Sequence, residues 1–358
     1  MLFNIIFYGT LSLILFDLLI MIYKIITLKK DSSVFEENFS RYNMYNYKQG
    51  QYSFNYSKQR IPCTFDISKD GFLDSIDYTD VIFLGGSSAF GVGSNGNGYN
   101  VSAFLKNKYG INIKNLSIPG WNIEQEVITI FKHYEKLKPK KIILFDGSNN
   151  LALGLPFDYH NYDIEISPYA YYQEKEFIKY FYNGKSDSIK MLSIRLLKTI
   201  FKHSILITLL YKTMKLGNFR ETKVDKIEID YDGISNIVVD NYIKWIEILA
   251  SFCKSNNIEL IVVTQPYFIY GKNAKELEYA KENFKVNTYF DKYMLMSLDK
   301  LEEKIKNIDN ITYIPIFRLL SKQLDLNYFT DAVHMTTDGY EIVADYIYER
   351  MKNVKEDN

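Results

Sequence analysis

The sequence predicts a three-layer α/β fold, with a parallel sheet of about five strands covered on both faces by helices. Two observations predict it. From Val81 onward, short apolar runs alternate with stretches of helical periodicity. Most of the apolar runs stop at Gly, Pro, Asp or Asn, as strands buried on both faces do when they reach a loop. A third feature precedes the alternation: residues 2–26 are apolar apart from Asn4, Thr10, Ser12, Asp17 and Lys24, with Gly9 among them.

The elements follow in order. Residues 81–84 are a first strand, ended by Gly85-Gly86, and residues 101–109 suit a helix. Residues 113–118 are a second strand, and 123–137 a helix. Residues 142–145 make a third strand, ended by Asp146-Gly147. After an interruption, 242–254 is helical and 260–263 is a fourth strand, ended by Gln265-Pro266. Residues 274–305 read as helix, 311–314 as a fifth strand and 338–351 as a closing helix. Strands that alternate with helices in this way build a parallel sheet by crossover connections.

Organisation follows from these elements. Residues 1–28 are read as a transmembrane anchor, 29–78 as a linker with short strands, and 79–358 as one domain with a helical insertion at 151–236. The N-terminal run supplies the roughly 20 apolar residues that a bilayer core requires. It lacks the basic start and small-residue cleavage site of a secretory signal. Asp17 within the span suggests a partner helix or snorkelling. Lys24, Lys29 and Lys30 after it favour the cytoplasmic side, but three lysines in a Lys-rich chain leave the side open. Inside the insertion, 191–216 is an apolar helical stretch carrying Arg195, Lys198 and Lys202 on one face. A lid or membrane-surface helix is one reading, and a helix packed on the sheet is the favoured one.

Composition excludes some functions. Forty-three basic residues balance 43 acidic ones, so nothing marks nucleic acid as a partner. Cys63 and Cys253 match no metal or redox spacing and read as buried free thiols, so no metal and no cofactor are expected. The 31 Tyr are read first as packing residues.

The chemistry sits at strand ends. Gly85-Gly86-Ser87-Ser88-Ala89-Phe90-Gly91 follows the first strand. Its glycine spacing does not fit a dinucleotide loop, no Gly-Lys-Ser/Thr ends it, and Ala89 breaks the GxSxG elbow. What remains is a serine presented where such sheets bind ligands. A serine hydroxyl needs a base to act as a nucleophile. Of His133, His160, His203 and His334, only His334 lies in a compact constellation with an acid, Asp331-Ala332-Val333-His334. An aspartate three residues earlier can reach Nδ1 and fix the tautomer. Acyl transfer also needs oxyanion donors. Gly120 after the second strand and the Asn149 side chain after the third are candidates.

Together these blocks resemble the SGNH (GDSL-like) hydrolase superfamily. Gly86-Ser87, Gly120, Gly147-Ser148-Asn149-Asn150 and Asp331 to His334 stand in the family's order, each at a strand end. The resemblance implies a flavodoxin-like α/β/α fold. It implies Ser87 as nucleophile, His334 as base, Asp331 as its orienter, and an oxyanion hole of Ser87 N–H, Gly120 N–H and the Asn149 side chain. Two departures stand out: Gly-Gly-Ser replaces Gly-Asp-Ser, and Asn150 replaces the aspartate of the third block, which puts loop support in question. By that likeness the chain is an esterase or an O-acyltransferase acting on an acylated carbohydrate or other ester, tied to the membrane. Membrane-anchored proteins of this family occur in surface-polymer acylation, often beside a multi-spanning acyl-transport partner. The alternative is a non-catalytic glycan-binding or assembly component that keeps the fold.

Overall fold

The computed structural model describes residues 37–40, 44–54, 63–152, 230–284 and 288–356. They belong to one compact unit, formed by residues 35–171 and 230–358. The apolar N-terminal run, most of the insertion with its basic helical stretch, His160 and His203 lie outside the described residues. Among the described residues no helix is long and apolar enough to cross a membrane.

The unit begins with two antiparallel pairs: β1 (Glu37–Ser40) with β2 (Met44–Tyr47), and β3 (Gly50–Phe54) with β4 (Cys63–Ile67). In β4 the apolar Cys63, Phe65 and Ile67 are buried and alternate with Thr64 and Asp66, the period of a strand with one covered face. The Phe65 ring lies 4.6 Å from that of Phe90, so this part of the presumed linker packs under the serine loop.

The main sheet follows: β5 (Val81–Gly85), α1 (Ser87–Phe90), α2 (Val101–Tyr109), β6 (Ile113–Asn115), α3 (Ile123–Leu137), β7 (Lys141–Asp146) and α4 (Ser148–Ala152). After the insertion come α5 (Tyr231–Ser255), β8 (Glu259–Thr264), α6 (Ala274–Phe284), α7 (Thr288–Ile305), β9 (Ile311–Ile314), α8 (Ile316–Leu319) and α9 (Thr337–Glu356). The five strands are all parallel in the order β6-β5-β7-β8-β9. That is the doubly wound flavodoxin-like order, with its switch between β5 and β7. Helices α2 and α9 pack together in one layer, and α3, α5 and α7 in the other. Every residue of β5 is buried, as a central strand covered on both faces requires.

Three elements differ from their sequence expectation. The second strand stops at Asn115, because the Asn115 side chain accepts from Ser117 N–H (2.9 Å) and donates to Ala89 O and Ser102 Oγ, turning the chain. Helix α5 starts at Tyr231, inside the stretch read as insertion, because Asp230 caps it by accepting from Gly233 N–H at 2.9 Å. The 274–305 helix is two helices, the second turned so that buried Asp291 and Tyr293 reach Tyr267 Oη (2.8 Å) and Leu151 O (3.0 Å).

Candidate active site

The four predicted blocks all emerge at the carboxyl ends of the sheet strands or close beside them. In two of them the residue with the expected chemistry is the one left partly open to solvent. Ser87 is half-buried between buried Gly86 and Ser88, and Asn149 between buried Ser148 and Asn150. Gly120 is half-buried just before the buried Trp121.

Ser87 opens α1 directly after β5. Gly85 turns the chain there with φ +151°, and a Cβ on it would lie 2.1 Å from Phe145 O, so only glycine fits. The carbonyl of Ser87 accepts from Gly91 N–H (3.1 Å) and Val92 N–H (3.0 Å), which closes a single turn and fixes the serine.

His334 meets Ser87 across 247 residues of sequence: Ser87 Oγ–H donates to His334 Nε2 at 2.7 Å. On the other side of the ring, Nδ1–H donates to Asp331 Oδ2 at 2.6 Å. This assignment of the ring protons follows from the carboxylate, which can only accept. The second oxygen of Asp331 accepts the backbone N–H groups of Val333 and His334, both at 2.8 Å. Burial pushes the Asp331 carboxyl up, but the bond from His334, its charge and the two backbone donors outweigh this and hold it below the usual carboxylate range. The side chains of His334 and Asp331 are 16% and 32% exposed, so the ring is reachable from outside yet shielded from bulk water.

The oxyanion candidates are brought beside the serine. Gly120 has φ +84°, and Trp121 N–H donates to Ile118 O (3.1 Å), giving a tight turn after β6. The Asn149 Nδ2 donates to Trp121 O at 2.7 Å, which ties the third block to the second. An amide nitrogen carries two N–H groups, so one remains for a substrate oxygen. Asn150 adds a second tie between the same loops: its Oδ1 accepts from Ile123 N–H at 3.2 Å, at the start of α3. Gly86 makes room for this arrangement, since a Cβ there would fall 2.1 Å from Asn149 Nδ2. Gly86→Ala is therefore expected to displace the Asn149 amide and lower kcat about 100-fold or more, the usual cost of one oxyanion donor. Steady-state kinetics beside a thermal melt checks this, and an unchanged kcat in a folded variant removes Asn149 from the hole.

Two residues that the sequence did not single out connect the serine loop to the histidine loop. Ser88 Oγ–H donates to Val333 O (3.0 Å) and accepts from Gln265 Nε2 (3.1 Å), at the end of β8. Phe268 N–H donates to Ala332 O (2.9 Å), and Thr330 N–H to His334 O (2.9 Å). The only sequence signal was the strand-terminal Gln265-Pro266, which marks a loop and says nothing of its partner. Gln265→Leu is expected to lower kcat about tenfold with little change in KM, because the loop that aims His334 loses one tether. A raised KM at unchanged kcat would assign Gln265 to substrate binding instead.

Other nucleophile candidates are withdrawn from chemistry. Cys63 and Cys253 are buried free thiols that burial pushes up to about 12. His133 is partly buried against Phe72, and burial lowers it to about 4. Among the described residues no group of His, Cys, Asp and Glu is arranged to hold a metal ion.

No protein-family profile matches the chain, and no curated protein does. Solved structures do. A GDSL-like lipase of Bacteroides thetaiotaomicron is 14% identical, with 78% of this chain and 89% of that one covered, at a TM-score of 0.39. An acetyl-xylooligosaccharide esterase of Geobacillus stearothermophilus is 11% identical over 76% of this chain and 93% of its own, at a TM-score of 0.37. An acetyl xylan esterase, AlAXEase, is 13% identical over 75% and 98%, at a TM-score of 0.36.

Proposed function

We propose that the chain is a serine-dependent acyl-transfer enzyme of the SGNH type. The observation that carries this reading is the hydrogen-bonded sequence Ser87–His334–Asp331, at 2.7 and 2.6 Å. Ser87 Oγ attacks the ester carbonyl carbon while His334 Nε2 takes its proton. Negative charge gathers on the carbonyl oxygen, where Ser87 N–H, Gly120 N–H and the Asn149 amide receive it. The ester C–O bond then breaks, and His334 returns the proton to the departing alkoxide. An acyl group is left on Ser87. Water or a second hydroxyl, deprotonated by His334, attacks that acyl group and frees the serine. No step calls for a metal or cofactor.

The substrate we propose is an acylated, chiefly acetylated, carbohydrate. Support for this comes from the resemblance of the four sequence blocks and from the Tyr-rich stretch at 159–172, whose rings suit sugar stacking. The apolar residues 2–26 would hold the enzyme at a membrane, in the company of a multi-spanning acyl carrier.

Acetyl ester turnover tests the choice between receivers. Protein incubated with p-nitrophenyl acetate and an oligosaccharide releases free acetate if it is an esterase, and acetylated oligosaccharide if it is a transferase. A non-catalytic role predicts neither product and no adduct at Ser87 with a fluorophosphonate.

A further inference from the structure

Beneath the oxyanion loops lies a polar group that the steps above do not use. Glu126 sits in the first turn of α3, and Asp146 is the last residue of β7. Both are fully buried, as is Tyr242 of α5. Among the described residues, no side chain donates to either carboxyl, and none pairs with the Tyr242 hydroxyl. Glu126 feels the charge of Asp146, and Tyr242 feels that of both, which puts the three within electrostatic reach of one another. Buried polar groups are almost always paired, and two ionised carboxylates buried this completely are far too costly to persist.

The placement suggests what the pair is for. Asp146 is the last fixed point before Gly147 and Asn149. Glu126 is the equivalent point after Gly120 and Trp121, with its N–H on Asn122 O at 3.2 Å. Above them the two loops are joined by Asn149 to Trp121 and by Asn150 to Ile123. We propose that Glu126 and Asp146 are positioning residues that join these two loops from below and so set the direction of the oxyanion donors. The proposal rests on the acyl-transfer reading of Ser87.

A pair of acids can join loops only while it keeps a proton to share. Burial provides that: it raises Asp146 to about 7, and it raises Glu126 well above the usual carboxylate range, with the charge of Asp146 adding to the effect. The Gly147 backbone N–H offsets this for Asp146 only in part. From α5 the pair faces Tyr242, whose own hydroxyl burial keeps protonated, and Tyr313 of β9 acts on Tyr242. No basic side chain contributes to either carboxyl. The sign follows from linkage. Acids raised in the folded state hold protons that the unfolded chain has released, so their support is full at low pH and is lost as pH rises through the raised values. The loops therefore loosen on the alkaline side.

The test compares the pH dependence of Ser87 acylation in the wild type and in the double variant Glu126→Gln/Asp146→Asn. The amides keep the shape and cannot ionise. The wild type is expected to lose kcat about tenfold or more on the alkaline side, at steady KM, and the double variant to lack that limb. An infrared carboxylic-acid C=O band that persists in the wild type above neutral pH and is absent from the variant is the second expected result. Coincident pH profiles overturn the proposal, and so does the absence of the band, which serves even if the variant fails to fold. A wild type that never labels at Ser87 removes the acyl-transfer reading itself, an outcome distinct from normal labelling with coincident profiles.

Discussion

Ser87→Ala is expected to abolish the fluorophosphonate adduct and to cut ester turnover by about a million-fold, the scale seen when a triad serine is removed. The size follows from geometry. The proton that His334 Nε2 takes comes from the Ser87 hydroxyl, which donates to it at 2.7 Å, so without Oγ there is no covalent path. The oxyanion donors stay in place and leave a residual rate above that in water. The fold is expected to survive, because the buried contacts of this turn belong to Ser88, Ala89 and Phe90. Intact-mass spectrometry after probe treatment, together with a thermal melt, checks both parts. A folded Ser87→Ala protein that turns over ester like the wild type overturns the assignment.

Asp331→Asn is expected to lower kcat about ten-thousand-fold with the protein still folded. Asp331 accepts three N–H groups: two from the backbone on Oδ1 and the imidazole Nδ1–H on Oδ2. An asparagine has one accepting oxygen. If that oxygen keeps the backbone bonds, the NH2 faces Nδ1. The ring must then carry its proton on Nε2, where it can no longer accept from Ser87. The change also has a signature in stability. Asp331 is held below the usual carboxylate range in the folded chain, so its contribution is present above that range and is lost as pH falls through the lowered value. The melting temperature of the wild type should therefore fall on acidification by more than that of Asp331→Asn. Melts of both proteins across acidic pH read this directly, and parallel curves would show that Asp331 carries no such linkage.

The acid-side melting difference expected of Asp331→Asn and the pH limb assigned to Glu126 and Asp146 lie on opposite sides of neutrality. Acid acts on Asp331 at the outer end of the triad, and base acts on the pair beneath the oxyanion loops. A single pH profile thus reports on two different parts of the site, and the Asn/Gln variants separate them.

The elements were readable in sequence wherever one local rule dominated. Helix α3 matches its expected span because Asn122 and Gln125 form a capping box and the apolar positions keep helical spacing. Helix α5 was shortened by Gly233, whose poor helix propensity masks a first turn that Asp230 caps. The buried Glu126 and Asp146 were not legible as a pair. Each looks like an ordinary residue at a helix start or a strand end, and only the packing of helix on sheet buries both. The same holds for Gln265 and Ser88, whose bond spans 177 positions.

By itself the sequence determined the α/β alternation and the strand ends at which chemistry can sit, and it singled out Ser87, Asp331 and His334 as candidates. These depend on periodicity and on side-chain chemistry, which are local properties. The Asp331–His334 contact was within its reach too, since three residues bridge one turn. Only the tertiary structure decided that His334 reaches Ser87, that Asn150 holds the Ile123 N–H, and that two carboxyls are wholly buried behind the loops. Those depend on the parallel order β6-β5-β7-β8-β9, which gathers loops from distant parts of the chain at one edge of the sheet. Distance along the chain carries no record of that gathering. Packing against both faces of the sheet fixes it.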